Sequence, residues 1–199
     1  MRSLRIASGP KAMSCFGSRA RGLVLLALVS SFAHADDVRY EIGRAASPES
    51  IQAWDKDVRP DGQGLPRGQG SARRGALIYQ AQCESCHGVA GIGGPFGSLV
   101  GRIEDDAFPF GTDPSQEKTI GNYWPYATTI FDYLQRAMPF DAPGSLEIDE
   151  VYSLVAYLLA ENRIISADRV LNQSNLHEVQ MPARNRFIPD DRRGGHEVR

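Results

Sequence analysis

The sequence is poor in cysteine, in long apolar runs and in positive charge, and each shortage removes a class of function. Three cysteines stand among 199 residues, and Cys83 and Cys86, the two that lie together, have no second Cys/His pair to join them. A zinc site would need two further ligands at useful spacing. The apolar run from Leu23 to Phe32 falls short of the ~20 residues that a bilayer span takes. No strand-like alternation is convincing, so the βαβ context of a thioredoxin-type dithiol is missing. The glycines between Asp61 and Gly70 neither follow a strand nor open a helix, which sets a phosphate-binding loop aside. No internal repeat is present. Basic residues number 22 against 24 acidic ones, without the basic excess of a nucleic-acid binder.

What is present begins with a leader. Arg2, Arg5, Lys11, Arg19 and Arg21 carry positive charge with no acidic residue among them. The apolar run follows, then Ala33-His34-Ala35. This order describes a secretory signal over residues 1–35, cleaved after Ala35, with an uncleaved anchor as the alternative. Cys15 precedes the apolar run and leaves with the signal. The mature remainder then holds 17 basic and 24 acidic residues, a net −7, and no membrane span. Its expected destination is the periplasm.

Residues 36–70 read as an N-terminal arm, punctuated by Pro48, Pro60, Pro66 and the glycine-rich stretch. Within it, Ser47 to Trp54 suits one or two helical turns. Residues 71–165 read as the core of an all-α fold. Ser71 is placed to cap a helix through Gln82. A second helix runs from Thr128 to Ala137, with Ile130, Phe131 and Leu134 on one side. In the last helix Val151, Leu154, Val155, Leu158 and Leu159 recur at helical spacing, and Asp149 and Glu150 suit its positive end. Glu147 is a weak cap for it. Residues 166–199 form a polar, proline-punctuated tail, either a solvated end or a strap across the core or onto a partner.

The chemistry lies in Cys83-Glu84-Ser85-Cys86-His87, which occurs once. Two thiols on one short turn can form thioethers to the two vinyl groups of one haem, and the histidine beside them can ligate its iron. The expected cofactor is one covalent haem c. A low-spin carrier usually closes the sixth position with methionine sulfur, which raises the reduction potential. Of the two methionines in the mature chain, Met138 ends the second helix just before Pro139, a scaffold for presenting its sulfur. Met181 lies in the tail without one. The expected iron ligands are therefore His87 and Met138. Pro95 is a candidate to turn its carbonyl toward the His87 ring. Tyr123, Trp124 and Tyr126 are candidates to wall the haem, with a propionate hydrogen bond from Trp124 or Tyr126 as a further possibility. Arg102 is either a propionate partner or a solvated loop residue.

At these residues the chain resembles the class I cytochrome c family. Gly75, Tyr79, Cys83, Cys86 and His87 fall at that family's spacing, and Leu154 and Tyr157 look like its helix-crossing positions. Met138 to Leu146 looks like its methionine loop. A narrower likeness runs through Thr119 to Phe140, through Ala53 to Pro66 and through Val179 to Pro182. These segments resemble the cytochrome subunit of Sox-type sulfur (sulfite) dehydrogenases. Some members of that family carry two haems, whereas this chain has one site. The resemblance implies an electron-transfer subunit that receives electrons from a molybdenum-cofactor sulfur or sulfite dehydrogenase subunit and passes them to an acceptor cytochrome c. Bond-making chemistry would then lie on the partner. A free-standing carrier for an oxidase or another dehydrogenase, and a haem enzyme with an open iron position, are the rival readings.

Overall fold

A computed structural model describes residues 42–103, 108–188, 190 and 191. The expected signal segment lies outside them. The chain divides into two units, residues 1–44 and 45–199. Only Ile42, Gly43 and Arg44 of the first are described, and the fold below is that of the second.

Among the described residues six α-helices are formed: α1 Pro48–Trp54, α2 Ala72–Gln82, α3 Glu84–His87, α4 Ile120–Tyr123, α5 Ala127–Ala137 and α6 Ile148–Glu161. The helical fold agrees with the class I cytochrome c architecture expected from the sequence. Ser71 caps α2 by accepting from the Arg74 N–H. Glu147, a weak cap on its own, works in partnership. Its side chain accepts from the Glu150 backbone, while the Glu150 carboxylate accepts from the Glu147 N–H at 3.0 Å. This reciprocal pair satisfies two amide donors that the helix itself leaves free.

Helix α6 is buried from Val151 to Leu159 and is the spine of the core. Phe131 of α5 packs on Tyr152, with ring centroids 4.5 Å apart. Helix α2 crosses α6 at Gly75, where an added Cβ would stand 2.0 Å from the Ser153 carbonyl oxygen and 2.7 Å from Tyr157 Cβ. The crossing thus runs over Ser153 and Tyr157. Tyr157 is one of the two positions anticipated for it, and Leu154, the other, is fully buried.

Arm and tail are both tied to this core. The Val58 N–H donates to Asp132 Oδ1 at 2.9 Å, and Asp132 is also paired with Arg136 one turn along α5. Thr128 Oγ1 donates to the Pro60 carbonyl and Tyr152 Oη to the Pro66 carbonyl. The Gln69 N–H donates to Asp149 Oδ1 at 2.8 Å. In the tail, Leu171, Leu176, Val179, Met181 and Ala183 are buried. Residues 166–188 are a strap and not a solvated end. Arm and tail meet in a short antiparallel pair absent from the all-helical expectation: β1 Gln69–Gly70 aligns with β2 Leu171–Asn172, Gln69 opposite Asn172 and Gly70 opposite Leu171. Gly70 is pressed against Ser153 of α6, leaving no room for a side chain at that position.

Burial raises the Tyr152 phenol from its ordinary value of 10 to about 12. Because the folded state holds this proton more tightly, the associated stability is intact below pH 10 and is lost as pH climbs from about 10 to about 12. Tyr152→Phe should flatten part of that alkaline fall in urea titrations, with Tyr79 and Tyr157, raised by the same burial, keeping the remainder. At neutral pH the variant should lose about 1 kcal/mol through the unpaired Pro66 carbonyl.

Candidate functional site

The site is assembled where α2 stops. The Cys83 N–H closes the last turn of α2 on the Tyr79 carbonyl, 2.8 Å away. The chain then turns tightly into α3, with the N–H groups of Cys86 and His87 both donating to the Cys83 carbonyl. This places Cys83, Cys86 and His87 on one turn. Gly88 ends it at φ +81°, and a Cβ there would lie 1.9 Å from the Ile92 carbonyl oxygen, so only glycine lets the chain leave in this direction. From beneath, the buried Tyr79 donates its hydroxyl to the Gly88 carbonyl at 3.0 Å and packs on Tyr157.

The loop that follows folds back over the turn. The Phe96 N–H donates to the Cys86 carbonyl, and the Leu99 and Val100 N–H groups share the Gly91 carbonyl. His87 Nδ1 meets the carbonyl of Gly97 at 3.2 Å. Pro95 was the anticipated source of that carbonyl, and the geometry corrects the assignment by two residues. Pro95 lies inside the turn that the Gly97 N–H closes on the Gly94 carbonyl, so its role is to shape the turn, whose far end carries the acceptor. The far side of the loop is clamped by Asn162, only 1% exposed at the end of α6. Its Oδ1 accepts from the Gly101 N–H, and its Nδ2 donates to the Leu99 and Leu158 carbonyls. Neither Asn162 nor this carbonyl choice carries a periodic or motif signal in the sequence.

Met138 is the C-cap of α5, its N–H donating to the Leu134 carbonyl. It is half-buried at the margin of the core, as are Ile78, Cys83, Leu99, Val100 and Trp124. Trp124 closes α4 and meets Tyr133 edge-on, 5.9 Å between centroids. The other two aromatics of its segment are engaged by other groups. Tyr123 stacks on Phe110 with Phe187 at their edges, and Tyr126 lies under the Arg184 guanidinium. The Arg102 guanidinium donates to the Arg163 carbonyl. Met181 is inside the core, 4% exposed.

These residues suit a covalently carried porphyrin better than the other uses of two thiols. Burial, and secondarily the neighbouring Cys86, pushes the Cys83 thiol up to about 11. A redox dithiol works through a depressed thiol value, because the thiolate is the nucleophile. Among the described residues no three His, Cys, Asp or Glu side chains gather as a metal cluster. A hydrogen bond at Nδ1 orients the imidazole and leaves Nε2 for iron.

Among the described residues no helix is long and apolar enough to cross a membrane. Residues 70–158 match the family described as cytochrome c oxidase, cbb3-type, subunit III. No curated protein matches the chain. Among solved structures, the chain is 40% identical to one in the crystal structure of the sulfane dehydrogenase SoxCD from Paracoccus pantotrophus, covering 77% of this chain and 73% of that one at a TM-score of 0.67. Identity at that level over most of both chains means that this protein belongs to the class I cytochrome c family, whose cofactor is haem c, and that within it the chain resembles the Sox-type cytochrome subunit.

Proposed function

We propose that this chain is the periplasmic electron-transfer subunit of a molybdenum-cofactor sulfur or sulfite dehydrogenase, exported by the signal at residues 1–35. The observation that carries the proposal is the single turn bearing Cys83, Cys86 and His87, with His87 Nδ1 already engaged by Gly97. Cys83 and Cys86 hold one haem c through thioethers. His87 and Met138 would ligate its iron, Trp124 would form part of its wall, and no residue of this chain would make or break substrate bonds. Bound there, the haem supplies a one-electron couple at its iron. The chain's own work is to fix that group. The Gly97 carbonyl sets the imidazole plane, the Asn162 clamp holds the loop carrying it, and Met138 sulfur favours the reduced form relative to a nitrogen or anionic ligand. The likeness to a chain of a sulfane dehydrogenase supports the molybdenum subunit as electron donor, with another cytochrome c as acceptor.

Co-expression with a molybdenum sulfite-dehydrogenase subunit should yield a heteromer whose haem is reduced on addition of sulfite or thiosulfate. Recovery of a haem-bearing monomer that neither sulfur donor reduces, with the partner present, would favour a free-standing carrier and defeat the proposal.

A further inference from the structure

The carbonyl that meets His87 belongs to a peptide unit with a second partner. Gly97 C=O and Ser98 N–H are two ends of one amide. The Ser98 N–H donates to Glu117 Oε1 at 2.5 Å, while Gly97 O faces His87 Nδ1 at 3.2 Å. An anionic acceptor on the N–H of an amide increases the negative charge on its oxygen, because the amide π system is shared. The same loop is held on the other side by Ser98 Oγ, which accepts from the Gly93 N–H at 3.0 Å. Gly97 itself is at φ +85°, and a Cβ added there would approach Glu117 Oε1 to 3.2 Å, so the carboxylate lies close over this peptide. Hydrogen bonding to Ser98 also holds the Glu117 carboxyl below the usual carboxylate range, so it is ionised at neutral pH.

We propose that Glu117 is a positioning residue for the axial histidine, acting through the Gly97–Ser98 peptide to strengthen the His87 Nδ1–H···O bond and so lower the reduction potential. The inference rests on the haem reading of Cys83, Cys86 and His87. A stronger acceptor at Nδ1 makes Nε2 a better electron donor, which favours the ferric state. The effect is modest because Glu117 is solvent-exposed and its charge is screened.

Glu117→Gln keeps the length and an acceptor oxygen but removes the charge. The haem-loaded variant should show the ferrous form favoured about threefold more than in the parent, a rise of about 30 mV at 59 mV per tenfold for one electron. In ¹⁵N-labelled ferrous protein, both the Ser98 amide proton and the His87 Nδ1 proton should move upfield. An unchanged potential overturns the proposal. So does a raised potential with the His87 proton unmoved, which would assign the change to charge alone. Parent protein that carries no covalent haem after maturation would instead defeat the underlying site reading, and that failure is visible in its absorbance before any variant is made.

Discussion

Gly75→Ala is expected to destabilise the protein by about 3 kcal/mol or more, even though the same exchange on an open helix surface would stabilise it by about 1 kcal/mol. The new methyl would stand 2.0 Å from the Ser153 carbonyl oxygen and 2.6 Å from its carbonyl carbon. Both are backbone atoms of α6, inside a hydrogen-bonded helix, and cannot swing aside as the end of a long side chain can. Helix α2 must therefore move off α6, which separates Tyr79 from Tyr157 and draws the Cys83–His87 turn with it. A loss of that size is a large part of the 5–15 kcal/mol that holds an ordinary domain together. Gly111→Ala is the control, since nothing lies within 4 Å of the added carbon. Urea midpoints should fall sharply for the first variant and stay within about 0.5 kcal/mol of the parent for the second. Similar midpoints for the two would mean that the helices do not cross at Gly75.

The crossing also shows where sequence reading succeeds and where it runs out. The periodic apolar positions of α6 were legible because a buried helix must repeat them, and the Cys83–His87 turn stood out because its motif lies within five residues. Tyr157 faces Gly75 at the spacing the sequence implies. Close backbone approach also needs a small residue facing the glycine, and Ser153 is that residue. The Glu147–Glu150 capping box was missed because either glutamate alone is unremarkable and only the pair satisfies the helix end. The tail's burial was left open for a related reason. Val179, Met181 and Ala183 alternate at strand spacing, but no strand forms there and Leu171 and Leu176 stand outside that alternation, so their anchoring becomes visible only with the core beside them. Asn162 and Glu117 bond to the loop after His87 from 61 and 19 residues away, through backbone groups whose directions depend on a turn and not on residue type.

Met138→Ala and Met181→Ala should fail in opposite ways. Met138 is held at the core margin by the last turn of α5, whereas Met181 is enclosed in the core. Truncating a buried methionine costs about 2–5 kcal/mol, through lost transfer energy and the cavity left behind. Met181→Ala should therefore lower the urea midpoint while leaving the ferric spectrum low-spin. Met138→Ala removes less buried volume and should be the milder change in apoprotein packing, yet it deletes the proposed sixth ligand. Its ferric spectrum should turn high-spin, and its reduction potential should fall where water or another hard ligand replaces the sulfur. Optical spectra of the two haem-loaded variants, taken beside their denaturation curves, separate a ligand from a core side chain. Low-spin iron in Met138→Ala with high-spin iron in Met181→Ala would transfer the ligand assignment to the tail. Low-spin iron in both would require an axial group other than methionine.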